Sequence, residues 1–101
     1  MNRMLLTALI VGSVGLAGAA QAAGEVAAGQ AKAGSCGMCH GPTGGGTQMG
    51  PKLAGEDQAK FVAAMNDYKA GKGANAMMKN SAAQLSTDDI ANLAAYYASL
   101  K

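Results

Sequence analysis

Apolar positions in the second half of the chain recur at helical spacing. Between Glu56 and Ala70, Phe61, Met65 and Tyr68 stand at i, i+4 and i+7, on one helical face. Acidic residues open this stretch, Gly71 stops it, and Lys69 and Lys72 sit near its end, where the helix dipole favours cations. A last helix opens with Ser86-Thr87-Asp88-Asp89, a capping-box-like start, and its apolar face is Ile90, Leu93, Ala94, Tyr97 and Leu100. Upstream, residues near 25–35 are alanine-rich and predict a first helix running into Cys36. Between these helices the pattern breaks. Residues 41–55 are rich in Gly, Pro, Thr and Gln, with three glycines in a row at 44–46, and read as a loop. Residues 71–85, which carry Met77 and Met78, read as a second irregular segment. No stretch alternates with period two over strand length, so the prediction is all-α, with three main helices and two long loops.

The N-terminal residues read as an address. Arg3 precedes an apolar stretch from Met4 to Ala17, and Ala20-Gln21-Ala22 offers a small-residue cleavage site. Residues 1–22 are therefore expected to be a signal peptide and 23–101 the domain. The other reading is an uncleaved anchor, for which the apolar run is short. Export to the periplasm is the expectation.

Composition then raises a question of stability. The 101 residues allow one domain, and about half are hydrophobic, yet much of this is alanine and only Phe61, Tyr68, Tyr96 and Tyr97 are aromatic. A domain of about 80 residues with so little bulk ordinarily needs a staple. Long structureless loops are uncommon in compact domains, which sharpens the need. The formal charge of +2 comes with no Lys/Arg cluster, so no nucleic-acid footprint exists. No membrane span is expected in the mature chain.

Cys36-Gly37-Met38-Cys39-His40 supplies the staple. The C-x-x-C-H pattern reads as covalent attachment of a c-type haem. Residues three apart share a helical face, so both thiols can reach the vinyl groups along one haem edge, and His40 follows to bind iron. Three other readings compete. A disulfide oxidoreductase expects a strand before its C-x-x-C, where this chain has an alanine-rich helix. Zinc wants four ligands, and here two thiols and one imidazole stand in a cramped row. A disulfide spanning two residues staples almost nothing.

Over nearly the whole mature sequence the chain resembles the small monohaem class I cytochromes c of bacteria. The resemblance rests on Gly29 before the motif, Cys36 to Gly41, Pro51-Lys52-Leu53-Ala54-Gly55, Tyr68-Lys69-Ala70-Gly71, Met77-Met78, and Leu85-Ser86 leading into Tyr96-Tyr97-Ala98-Ser99-Leu100. It implies a class I cytochrome c-like fold wrapped around one covalently bound haem c. It also implies a close crossing of first and last helices, with Gly29 against Leu93 and Tyr97. By the same resemblance, the Pro51 carbonyl accepts the Nδ1–H of His40 and Leu53 lies on the haem face. Relatives often carry a basic residue before the methionine loop to meet a haem propionate. Here Lys72 is followed by Gly73-Ala74-Asn75, so Lys72 and Asn75 are the candidates.

His40 is the one histidine, so a bis-histidine haem within the chain is excluded. The second axial position is empty, taken by an external ligand, or taken by methionine. Met38 lies inside the attachment motif, Met49 on the loop assigned to the His40 side, and Met65 on a core stripe. Met77 and Met78 remain. Relatives place their ligand eight residues before the serine that opens the final helix, which implies Met78, with Met77 packing beside the ring.

Two functions follow. One is a diffusible periplasmic electron carrier, not an enzyme, with His/Met ligation and transient docking to a redox protein donor and acceptor. The alternative is a five-coordinate haem enzyme or gas-sensing domain, for which no distal histidine exists. The edge beside Cys36 and Cys39 is the expected exit for electrons. Lys52, Lys60, Lys72 and Lys79 offer modest steering, and nothing in the sequence suggests a dimer seam, so a monomer is expected.

Overall fold

Residues 24–100 are described by the computed structural model, and the expected signal peptide, residues 1–22, lies outside them. Among the described residues there are five helices and no strand: α1 (Val26–Lys32), α2 (Gly34–His40), α3 (Gln58–Lys69), α4 (Ala76–Ala83) and α5 (Thr87–Ser99). The three expected main helices are present, with two differences. The first helix is parted at Ala33 into α1 and α2, and the second expected loop contains a helix, α4.

Helix α5 is the best specified of the five. Ser86 accepts the Asp89 N–H at 3.0 Å, and Asp89 accepts the Ser86 N–H at 2.9 Å, closing the capping box read from the sequence. Its buried residues include Ile90, Leu93, Ala94 and Tyr97, as the apolar stripe requires, while Leu100 is half-buried. Helix α3 begins later than expected. Asp57 stands outside it as the cap, accepting the Lys60 N–H at 3.0 Å, so the acids precede the first turn. At its other end the Gly71 N–H reaches the Tyr68 carbonyl and the Lys72 N–H reaches that of Asp67, a Schellman termination.

Helix α1 packs across α5, and α3 packs on both α4 and α5. The core between them is small. Phe61 and Met65 from α3, Ala82 from α4, and Ile90, Leu93 and Tyr97 from α5 fill it, with the Phe61 and Tyr97 rings 5.8 Å apart. At the α1–α5 crossing a Cβ on Gly29 would stand 2.6 Å from the Asn92 carbonyl carbon and 2.7 Å from Tyr96 Cβ. The small residue at the crossing is the one expected, but its partners are Asn92 and Tyr96, not Leu93 and Tyr97. Successive helical residues are turned by roughly 100°. Leu93 and Tyr97 therefore point into the α3 side of the core, and Asn92 and Tyr96 face α1. The crossing is further tied by the Glu25 N–H donating to Asn92 Oδ1 at 2.8 Å and by Lys32 Nζ 3.6 Å from Asp89 Oδ2.

Candidate functional site

Helix α2 carries Cys36, Cys39 and His40 within two turns. Cys36 and Cys39 stand three apart on one face, both as free, half-buried thiols. Burial pushes the Cys36 thiol up from its ordinary value, partly offset by a hydrogen bond with the Tyr97 hydroxyl. Burial likewise raises the Tyr97 phenol, one of the most enclosed side chains of the core.

His40 is 7% exposed and is the one buried charged or polar residue among those described. Its Nδ1 lies 2.7 Å from the Pro51 carbonyl oxygen. A carbonyl can only accept, so Nδ1 carries the proton and Nε2 keeps its lone pair for a metal. The loop after α2 is shaped to hold this contact. Thr47 Oγ1 donates to the Cys39 carbonyl and accepts the Met49 N–H at 3.0 Å, while the Thr47 N–H reaches the Gly50 carbonyl at 2.8 Å. Gly50 passes directly beside the imidazole: a Cβ there would be 2.8 Å from Nδ1 and 3.0 Å from the Cys39 carbonyl oxygen.

The methionines divide clearly. Met65 is a core residue, while Met38, Met49 and Met77 are exposed. Met78 is half-buried and packs at the rim of the core, a rim that also carries Cys36 and Leu53. It occupies the third position of α4, where its N–H donates to the Asn75 side-chain oxygen at 3.0 Å. The two propionate candidates are thus both engaged in protein contacts. Asn75 caps α4, and Lys72 Nζ lies 3.8 Å from Asp67 Oδ1 on the surface.

The donor set fits a c-type haem. Paired free thiols, an imidazole with its outer nitrogen available and a half-buried thioether are the groups such a cofactor takes. It does not fit zinc: among the described residues no three His, Cys, Asp or Glu side chains come together as metal ligands. Sequence reasoning did not reach Thr47, Gly50 or the capping role of Asn75. The signal for Asn75 was present, since an Asn three residues before Met78 is an N-cap pattern.

A helical shell this short of core, built around two unpaired thiols and a histidine fixed through its inner nitrogen, is a domain for covalently held haem. Comparison with known proteins agrees. A family model described as "Cytochrome C oxidase, cbb3-type, subunit III" matches residues 19–96. Cytochrome c4 of Pseudomonas aeruginosa is 44% identical over 102 residues, covering 100% of this chain and 50% of that protein. Cytochrome c-554(548) of Halomonas halodenitrificans is 42% identical over 81 residues, 76% of this chain and 98% of its own length. The crystal structure of reduced recombinant cytochrome c4 from Pseudomonas stutzeri superposes with a TM-score of 0.69 at 36% identity, covering 78% of this chain and 47% of that one. The chain belongs to the c-type cytochrome family, and its cofactor is haem c. It spans about half the length of the cytochromes c4 that it matches.

Proposed function

We propose that the chain is a periplasmic electron carrier with one haem c per chain, attached through Cys36 and Cys39 and ligated axially by His40 and Met78. The observation that carries this reading is the 2.7 Å contact from His40 Nδ1 to the Pro51 carbonyl, one residue after the second thiol. It sets the tautomer that presents Nε2 and stiffens the imidazole as a ligand. The Cys36 and Cys39 thiols would hold the haem through thioether bonds, each S–H adding across a vinyl group with nothing released. Haem held there would supply a one-electron ferric/ferrous couple, which suits the passing of a single electron between a reduced donor protein and an oxidised acceptor. The chain's own part is to hold both axial groups still, exclude water and leave an edge open. Small or flexible residues around the motif, including Gly37 and the exposed Met38, permit close and brief approach by redox partners. The domain boundary at residue 23, the cleaved leader and a monomeric carrier belong to the same reading.

Optical spectra of the purified protein test it. Sharp low-spin bands in both oxidation states, haem that survives acid–acetone extraction, and no rapid binding of carbon monoxide to the reduced protein at neutral pH are expected. Fast carbon monoxide binding would point to a five-coordinate haem enzyme or gas sensor instead.

A further inference from the structure

Helix α4 is the element that the sequence pattern missed, and its first turn holds both candidate ligands for the second axial position. Beyond the Met78 side chain at the rim of the core, the turn has few supports. Its buried residue, Ala82, lies near the far end. At the near end Met77 is 64% exposed and Lys79 donates its N–H only to the Asn75 carbonyl. Asn75 therefore makes two bonds into this turn, one from its carbonyl to Lys79 and one from its side chain to Met78. The second bond grips the backbone of the methionine that the preceding reading assigns to iron.

We propose that Asn75 is the positioning residue of the sixth ligand: its side-chain oxygen, by accepting the Met78 N–H, keeps the Met78 thioether from leaving the iron. The inference rests on Met78 being that ligand. A cap of this kind shifts a helix-end equilibrium by about fivefold to tenfold when lost. Unravelling of the turn carries Met78 with it, because Met78 is the residue whose N–H the cap holds. Ser86 makes the same kind of bond to Asp89 at the head of α5, on a helix with no candidate ligand.

The test is an imidazole titration of the ferric holoprotein, followed at the far-red sulfur-to-iron band, alongside the melting temperature. Added imidazole competes with the methionine, so its apparent affinity reports how often the thioether is off. Asn75→Ala is expected to bind imidazole about fivefold to tenfold more tightly than the parent. Asn75→Asp, which keeps an accepting oxygen, should return the affinity to the parental value. Ser86→Ala should lower the melting temperature with the affinity unmoved. If Asn75→Ala does not accumulate, Asn75→Thr, a weaker cap, should give a partial shift in the same direction. Equal affinities in the Asn75 variants and the parent, or an equal change in Ser86→Ala, overturn the proposal. Failure of the underlying ligand assignment reads differently: the far-red band would then survive in Met78→Ala and vanish in Met77→Ala.

Discussion

Gly50 and His40 are in contact so close that no side chain could stand at position 50: a Cβ there would lie 2.8 Å from Nδ1 and 2.9 Å from Cε1 of the imidazole. The glycine lets the chain turn past the ring and deliver the next carbonyl, that of Pro51, to Nδ1. Gly50→Ala should therefore push the ring off its acceptor. The expected cost is about 1–3 kcal/mol, the range for overpacking a site bounded by backbone. Thermal melting of the holoprotein should drop by several degrees, and the reduction potential should move because the hydrogen bond that tunes His40 is lengthened. A variant with an unchanged potential would show that the ring has room to spare.

Gly29→Ala sets two opposed effects against each other. Alanine improves helix propensity by about 1 kcal/mol, but its methyl would strike the Asn92 carbonyl and Tyr96 Cβ, the first of which is backbone. Backbone cannot swing aside, so the clash wins. The variant should lose about 1–3 kcal/mol net, read as a fall in melting temperature of roughly 4–8 °C per kcal/mol. A melting temperature equal to or above the parent's contradicts the crossing geometry.

How far could such contacts be read in advance? The stripe Ile90, Leu93, Ala94 and Tyr97 and the cap at Ser86 were legible because each is local: periodicity and a three-residue spacing suffice. The attachment motif was legible for the same reason. Gly29 was marked as the crossing residue, but its partners lay one position from those expected, since a stripe shows which face meets the main core and not which neighbouring face a second helix touches. Helix α4 was missed because its two large apolar residues, Met77 and Met78, are adjacent and give no helical repeat, and its start is signalled by one Asn side chain. Thr47 and Gly50 act through contacts fixed by the loop's path, which no spacing rule encodes.

Asp89 gives the domain a pH-sensitive clamp at the head of α5. Its carboxyl is held below the ordinary value mainly by the Ser86 backbone N–H, with smaller help from the Ser86 hydroxyl and from Lys32. A depressed carboxyl contributes stability that is present above the unfolded pKa, about 3.9, and is lost as pH falls through the folded value. Melting temperature should accordingly decline on acidification below about pH 4, with a shallower decline in Asp89→Asn. Salt should change this little, because the leading cause is a hydrogen bond and not the ion pair. An acid limb identical in parent and variant would remove Asp89 from the account.

The thiols should matter for folding as well as for attachment. Cys36→Ala should leave one thioether and lower the yield of mature protein, and replacing both cysteines should leave a haem-poor chain. So few large side chains are buried that the helices alone cannot offset their conformational entropy. Circular dichroism and a pyridine haemochrome assay on the double variant check this. Parental helicity and a cooperative melt without haem would refute it.

Met78→Ala should abolish the far-red band of the ferric protein and lower its potential, while Met77→Ala should leave both in place. The half-buried position of Met78 against the core and the exposure of Met77 favour that order. Both variants can be followed in a single optical redox titration, and the reverse order would exchange the two assignments.

The clasp between the Glu25 N–H and Asn92 Oδ1 joins residues 67 positions apart, and the Gly29–Tyr96 contact beside it spans the same separation. Nothing local can stand in for either. Until α5 has followed it, α1 has no surface to close upon. The α2 thiols precede α5 in the chain, with α3 and α4 between them, so the attachment motif is present before the chain can shut. High-separation contacts of this kind are slow to form. In a protein whose cofactor must be joined covalently, a late closure leaves time for the joining to happen first.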